Sequence, residues 1–384
     1  MPSPYSVKTI TNIEQAKLLE NEWRILTEKN AEIKTDLQCF MSWEWLSQWL
    51  ETYQDYILNL KIICVLYHDE VVAIAPFYIS ATNTWGVTQK ALSFIATNEP
   101  EQCEVASEFI DIAYSILHKE KISELLSEQL IKLNNITKFS FKDLNKNALM
   151  YMVCQKIKAK MITYEEEVVG YQFINDINNP PQYSVSFLKK KKRILNKFEK
   201  IGNSKYCQFV IAKDAIQALK LYEKLVELHL QRWQQRNKPG VFSNNYFYEF
   251  HRNFIINCFK KGMIVLSAIQ IENKIISVNY SIKWHNTLFF YQSGIDELHK
   301  PNVSPGLLNH LLLINYCEKQ KIECYNLLKS SKIHDYKGQF SQVSDELINI
   351  TMLLSNKFNF LSLIFYRAKC GLKQLLKLLR QKNI

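Results

Sequence analysis

The chain reads as an α/β protein of two successive units, each a central mixed sheet flanked by helices. Three observations predict this. The order helix, hairpin, strand, helix, strand occurs twice, once on each side of a break at Asn178-Asn179-Pro180-Pro181. With 384 residues and 47% hydrophobic content, the chain can fill two cores of ordinary size. Only nine Gly and nine Pro are present. That is too few turn residues for an all-β architecture, and no GxGxxG or GxxxxGK[ST] fingerprint occurs. The expected division is 1–180, 181–355 and a basic amphipathic tail, 356–384.

In the first unit, Phe40, Trp43, Leu46, Trp49 and Leu50 fall at helical spacing within Leu37–Tyr53. The apolar runs Leu60–Leu66 and Val71–Ile79 flank His68-Asp69-Glu70, a hairpin signal. Leu92–Ala96 reads as a strand, Ile122–Leu133 as a helix, Thr137–Phe141 as a strand, Asn145–Lys160 as a helix and Ile162–Val169 as a strand.

The second unit opens with a basic amphipathic helix, Val185–Lys200, and a strand, Tyr206–Ile211. Asp214 caps a helix running to Arg236, and Asn245–Lys261 forms another. Met263–Ile271 and Lys274–Lys283 pair about Glu272-Asn273, and Thr287–Gly294 adds a third strand. Ser304-Pro305-Gly306 then starts an apolar helix, with Ser at the N-cap and Pro at the first helical position. A strand at Ile322–Leu328 leads to Tyr336-Lys337 in a polar loop.

The nine Cys are dispersed without a C-x-x-C pair, and the eight His lack H-E-x-x-H spacing. Free thiols in a reducing compartment are therefore expected, and no metal. The N-terminus has no signal-peptide pattern, and no apolar run reaches the roughly 18 residues of a membrane span. A cytoplasmic location is the expectation.

The net charge of +11 is concentrated at Lys189–Arg193 and in the last fifteen residues. Such blocks suit the phosphates of a cofactor, a lipid surface or a nucleic acid, or simply form a solvated helix face. Stacking aromatics are not interleaved with them, which argues against nucleic acid. In Phe358–Arg380, Leu372, Leu375, Leu376 and Leu379 share a face flanked by Lys373, Lys377 and Arg380. That segment is expected to lie on an anionic membrane at its periphery, or to dock on the second unit.

Several local motifs, in order, resemble the CelD-like acetyltransferases, a tandem-domain branch of the GNAT N-acyltransferases related in fold to the Fem-type peptidyl transferases. They are Trp43–Trp49, Val72-Ala73-Ile74-Ala75-Pro76-Phe77, His229-Leu230-Gln231-Arg232-Trp233, Gly294-Ile295-Asp296, Ser304-Pro305-Gly306 and Tyr336-Lys337. Where that family carries an Asp and a Gly, this chain has Asn326 and Lys329-Ser330-Ser331. The resemblance implies tandem GNAT-like domains. It also implies transfer of an acyl group from acetyl-CoA or another acyl-CoA to an amine of a small-molecule, sugar or lipid-linked acceptor. Two alternatives stand beside it: a Fem-type transferase using aminoacyl-tRNA, and a GNAT-fold module that binds without catalysis. No coiled-coil insertion for tRNA is visible, which favours CoA.

By the same resemblance, Ser304, Pro305, Gly306 and Leu307 offer the cofactor pyrophosphate a helix N-terminus. Lys337 is the best side-chain candidate, a cation for a carboxylate, a phosphate or a developing oxyanion, unless it is simply exposed. An apolar core role is implausible for it, so its loss is expected to affect turnover more than folding. Tyr336 is read either as the acid toward a leaving thiolate or as a packing residue. His229, Arg232 and Trp233 share one helix face. They line a cleft, with His229 as base and Arg232 and Trp233 touching substrate, or they form a satisfied buried cluster. Asp296 is a second candidate base or a turn residue.

Overall fold

The computed structural model describes residues 3–32, 39–84, 87–133, 136–204, 207–297, 304–332 and 335–354. The proposed tail, 356–384, lies outside them, so the expectation about its amphipathic face does too.

Among the described residues apolar runs, some of them buried on both faces, form a sheet of thirteen strands. The first part of the chain gives β1 (Tyr5–Ile10), β2 (Asn59–Tyr67), β3 (Glu70–Thr84), β4 (Val87–Phe94), the two-residue β5 (Ala113–Tyr114), β6 (Lys138–Leu144) and β7 (Thr163–Asp176). The second gives β8 (Cys207–Ile211), β9 (Ile264–Ile271), β10 (Lys274–Trp284), β11 (Thr287–Ile295), β12 (Cys324–Ser330) and β13 (Gln342–Leu353). The helices are α1 (Ile13–Lys17), α2 (Glu20–Glu32), α3 (Trp43–Thr52), α4 (Lys119–Ile131), α5 (Leu149–Ile157), α6 (Val185–Ser204), α7 (Ala215–Gln234), α8 (Asn245–Cys258) and α9 (Pro305–Lys319). The large mixed sheet flanked by helices is the α/β class read from the sequence, built as one sheet where the sequence suggests one per unit.

The strand order is β1-β2-β3-β4-β6-β13-β7-β12-β11-β10-β9-β8, with β5 beside β3. Read inward from either edge, it repeats three antiparallel pairings and then one parallel pairing, β4 with β6 and β11 with β12. At the centre the last strands are exchanged. Strand β7 pairs with β12, β13 pairs with β6, and β7 and β13 pair with each other. The halves therefore form one continuous sheet.

Both hairpins turn where the sequence places them. His68 and Asp69 take φ of 46° and 66°, and Glu272 and Asn273 take 49° and 66°. Two left-handed residues in succession match the right-handed twist of the flanking strands.

The halves are also joined by helices. Trp45 of α3 packs edge-on against Phe250 and Phe254 of α8, at centroid distances of 4.7 and 5.1 Å. Asn257 donates to Gln48 at 2.9 Å, and Lys261 pairs with buried Glu44 at 2.9 Å. In the second half, α7 and α8 cover one face of the sheet. The other face, with α6 and α9, forms a separate apolar cluster.

One buried carboxylate gives a stability prediction. Glu99 is 4% exposed and accepts the Trp49 indole N–H. Burial pushes its pKa up to about 8. A carboxyl raised in the folded state contributes stability below its unfolded pKa and loses it as pH rises through the folded value. Glu99→Gln keeps an acceptor for Trp49 and removes the charge. Its stability relative to the parent should be near zero at pH 4.5 and grow to a gain on the order of 4 kcal/mol by pH 8. Urea denaturation at several pH values measures this, and a difference independent of pH would contradict it.

Candidate functional site

The parallel strands β11 and β12 pair only at Thr287–Cys324, Leu288–Tyr325 and Phe289–Asn326. Beyond those residues both strands continue, but apart. Each carries an extra residue at the parting. Strand β11 bulges at Tyr291 against Tyr280 and Ser281 of β10. Strand β12 bulges between Asn326 and Lys329, where Leu328 has φ of 59°. The Asn326 side chain fixes the second bulge by accepting the Leu328 N–H at 2.8 Å. Bulges re-aim side chains and end pairing, and they are frequent beside active sites.

The parting opens a cavity of about 330 Å³. Its apolar wall includes Phe247, Phe290, Tyr291 and Leu327, and its polar wall Glu104, Glu108, Lys329 and Lys337. The glutamates come from the first half, on the segment that follows β4. The corresponding parting of β4 and β6 is closed by the protein itself. Asn98 donates to the Ser140 carbonyl and accepts the Ser140 hydroxyl, both at 3.0 Å.

Lys337 lies in a short 3₁₀ turn, Tyr336–Gln339, started by Asp335, whose carboxylate accepts the Tyr336 N–H. In place of an exposed loop lysine, the structure shows a residue only 9% exposed. Its ammonium donates to the carbonyls of Leu327 and Lys329 at 2.6 and 2.7 Å. Those two bonds leave one of its three donors for a ligand. Burial lowers its pKa, and neighbouring Glu108 works against that shift.

Glu108, 6% exposed, has no counterpart among the residues singled out from the sequence. Its carboxylate accepts the Lys329 N–H at 2.8 Å. Burial and the charge of Asp143 push its pKa up, against the pull of Lys329 and Lys337. Lys329 in turn pairs with buried Asp143 at 2.6 Å. Its stem crosses Gly170 of β7, where a Cβ would lie 2.5 Å from the Lys329 side chain and 2.8 Å from the Ser330 carbonyl. Only glycine admits this approach. Around the same cluster, Ala106, Phe109, Asp143 and Leu328 hold φ values of 48°, 60°, 51° and 59°. Left-handed backbone at non-glycine residues costs energy and concentrates at functional sites.

His310, also absent from the sequence-level candidates, lies on α9. It shares a hydrogen bond of 2.7 Å with the Tyr325 hydroxyl and meets Phe290 edge-on at 4.5 Å. Burial, aided by the Lys337 charge, pushes its pKa down to about 3, so the ring stays neutral. The ring of Tyr336 lies 6.3 Å from that of His310, and Tyr336 is 47% exposed.

The other candidates lie on α7 and just beyond the end of β11. His229 is buried and accepts the Trp233 indole N–H on Nε2 at 2.8 Å. Burial and Arg232 push its pKa down to about 4. The Trp233 indole thus engages the lone pair through which Nε2 of His229 would accept a proton. Arg232 pairs with Glu297, just beyond β11, at 2.8 Å. Asp296 is buried and pairs with Lys274 at 2.8 Å. It lines a different depression, with Glu227 and Gln231, so the structure sets it apart from Lys337.

Helix α9 begins at Pro305, as the sequence indicates, but Ser304 does not cap it with its hydroxyl. Its backbone is left-handed, with φ 48° and ψ 75°, and no side-chain cap bond forms. The N–H groups of Gly306 and Leu307 thus have no side-chain acceptor among the described residues, and the first turn remains suited to an anion. Asn309 holds this helix to the sheet, accepting from Ser267 at 2.7 Å and donating to Ser277 at 3.3 Å.

Residues 188–338 match the family model of the acetyltransferase (GNAT) domain. Among solved structures, a conserved protein of unknown function from Bacteroides thetaiotaomicron VPI-5482 is similar at 13% identity. The match covers 90% of this chain and 99% of that one, with a TM-score of 0.50. The structure of FemX is similar at 10% identity over 82% of this chain and 93% of that one, with a TM-score of 0.53. These likenesses concern the fold. No curated protein matches the sequence.

Proposed function

We propose that the protein is an N-acyltransferase that moves an acyl group from an acyl-CoA thioester to an amine in the cavity between β11 and β12. The observation that carries this reading is the parting itself. Two parallel strands leave their facing edges unpaired where a buried ammonium and a buried carboxyl converge. The match of residues 188–338 to an acetyltransferase domain model supports the same class.

Unpaired strand edges suit the amide groups of an extended donor arm, and the first turn of α9 suits its phosphates. The third donor of Lys337 is directed at the carbonyl oxygen, where negative charge develops when the amine attacks. Glu108 takes the proton released by the attacking amine, a role its raised pKa favours near neutral pH. The C–S bond then breaks, and the thiolate leaves with a proton from solvent or from Tyr336. The likeness to FemX keeps aminoacyl transfer as the second reading, with the same roles for Lys337 and Glu108.

The test is release of free thiol from acetyl-CoA by the purified chain, with amino sugars, amino acids and polyamines as acceptors. Acceptor-dependent release is expected. Its absence, together with transfer from aminoacyl-tRNA, would select the second reading.

The donor's place gives another prediction. At Gly306 a Cβ would stand 2.7 Å from Cδ1 of Ile295. Gly306→Val should crowd the first turn of α9 and reduce the rise in Tm that CoA produces in the parent. Ile295→Ala, added to relieve the clash, should restore the parent's own Tm but not the full CoA shift. A full shift in either variant would place the donor elsewhere.

A further inference from the structure

Helix α6 has two unlike sides. One side packs inward through Phe187 and Ile194, with Leu195, Phe198 and Ile201 partly covered against the second apolar cluster. On the other, Val185, Leu188, Lys189 and Lys192 fall at i, i+3, i+4 and i+7 and so share a face. Val185 is 70% exposed and Leu188 47%. Lys189, Lys192 and Arg193 are exposed beside them. Among the described residues none of these three cations has an ion-pair partner. Lys190 and Lys191 extend the basic band, with Lys190 donating to Gln339 at 3.2 Å and Lys191 lying over the Tyr183 ring at 5.6 Å.

We propose that this face of α6 docks the protein onto an anionic lipid surface. Lys189 and Lys192 on this face, with Arg193 beside them, supply the attraction. Val185 and Leu188, two apolar side chains left in water on the same face, supply the insertion. Charge alone would also suit a nucleic acid. That partner has no use for exposed aliphatic residues, and the aromatic rings of α6 that would stack on bases, Phe187 and Phe198, are turned into the core. The inference is independent of the acyl-transfer reading, since it rests on no residue of the cavity.

The test is co-sedimentation of the full chain with vesicles of phosphatidylcholine alone or containing one-third phosphatidylglycerol. Binding is expected only to the anionic vesicles and should weaken as salt rises. Lys189→Glu with Lys192→Glu should lower partitioning at least tenfold. Val185→Ser with Leu188→Ser should lower it several-fold. Both double variants should keep the parental Tm, because all four side chains are solvent-exposed. Equal binding to neutral vesicles, or parental partitioning of both double variants, would overturn the proposal. The same holds if the parent binds a single-stranded oligonucleotide tightly and the anionic vesicles not at all.

Discussion

Lys337→Met is expected to slow acyl transfer by about a hundredfold or more. The substitution keeps the stem and deletes the charge aimed at the reacting carbonyl. Removing one preorganised donor of this kind costs roughly 2.7–4 kcal/mol of transition-state stabilisation, which is a factor of about 10²–10³ in rate. Burial adds a consequence that an exposed lysine would not have. The carbonyls of Leu327 and Lys329 lose their 2.6 and 2.7 Å donor, and Glu108 loses a neighbouring cation. Unpaired buried groups cost about 1–3 kcal/mol each, so Tm should fall by several degrees while the chain still folds. Single-turnover kinetics beside a thermal melt separate the two effects. A variant with parental rate and lowered Tm would make Lys337 a brace for the β12 bulge and nothing more.

Glu108→Gln is the second large effect. A positioned general base contributes about 10²–10⁴ in rate, and Gln cannot take the proton. The pH dependence carries the sign. Because burial and Asp143 raise the Glu108 pKa, its basic form accumulates only above the ordinary carboxylate range. The parental rate should therefore climb through neutral pH, and this rise should vanish in Glu108→Gln. Stability moves the opposite way. A raised carboxyl contributes its full share below the unfolded pKa and loses it as pH rises through the folded one. Glu108→Gln should thus be slow yet lose less stability on the alkaline side than the parent. Retention of the climbing limb in the variant would assign the base to another group.

The elements were largely legible in the sequence because their signals are local. Turn residues with left-handed φ mark both hairpins, and Asp214 caps α7 by accepting the Gln217 N–H at 2.8 Å. Edge strand β1 and the exchanged strand β13 leave no comparable local signal. Strand β13 carries polar residues at Gln342, Ser344, Asp345, Glu346 and Asn349, which blur its alternation. Its partners lie some two hundred residues away in β6 and β7, a pairing that no local pattern announces.

The site was half legible. Tyr336-Lys337 and the start of α9 carry recognisable motifs, and the cavity does contain Lys337. Glu108 carries none. It sits in a segment without periodicity, and its chemistry comes from burial beside Lys329 and Lys337, 221 and 229 positions further along. The polar stretch around Lys337 reads as solvated, because its neighbours Tyr336, Gly338 and Gln339 are exposed while its own side chain turns inward. His229 and Asp296 offer bases through residue type and the motifs that carry them. In the fold Trp233 engages Nε2 of His229, and Lys274 pairs with Oδ2 of Asp296.

The most direct test is a crystal structure of the chain with a hydrolysis-resistant acetyl-CoA analogue. The acyl carbonyl is expected between Phe290–Gln292 and Leu327–Lys329, with its oxygen within hydrogen-bonding distance of the Lys337 ammonium and the phosphates at the first turn of α9. An analogue bound outside that parting, or one whose carbonyl does not reach Lys337, would contradict it.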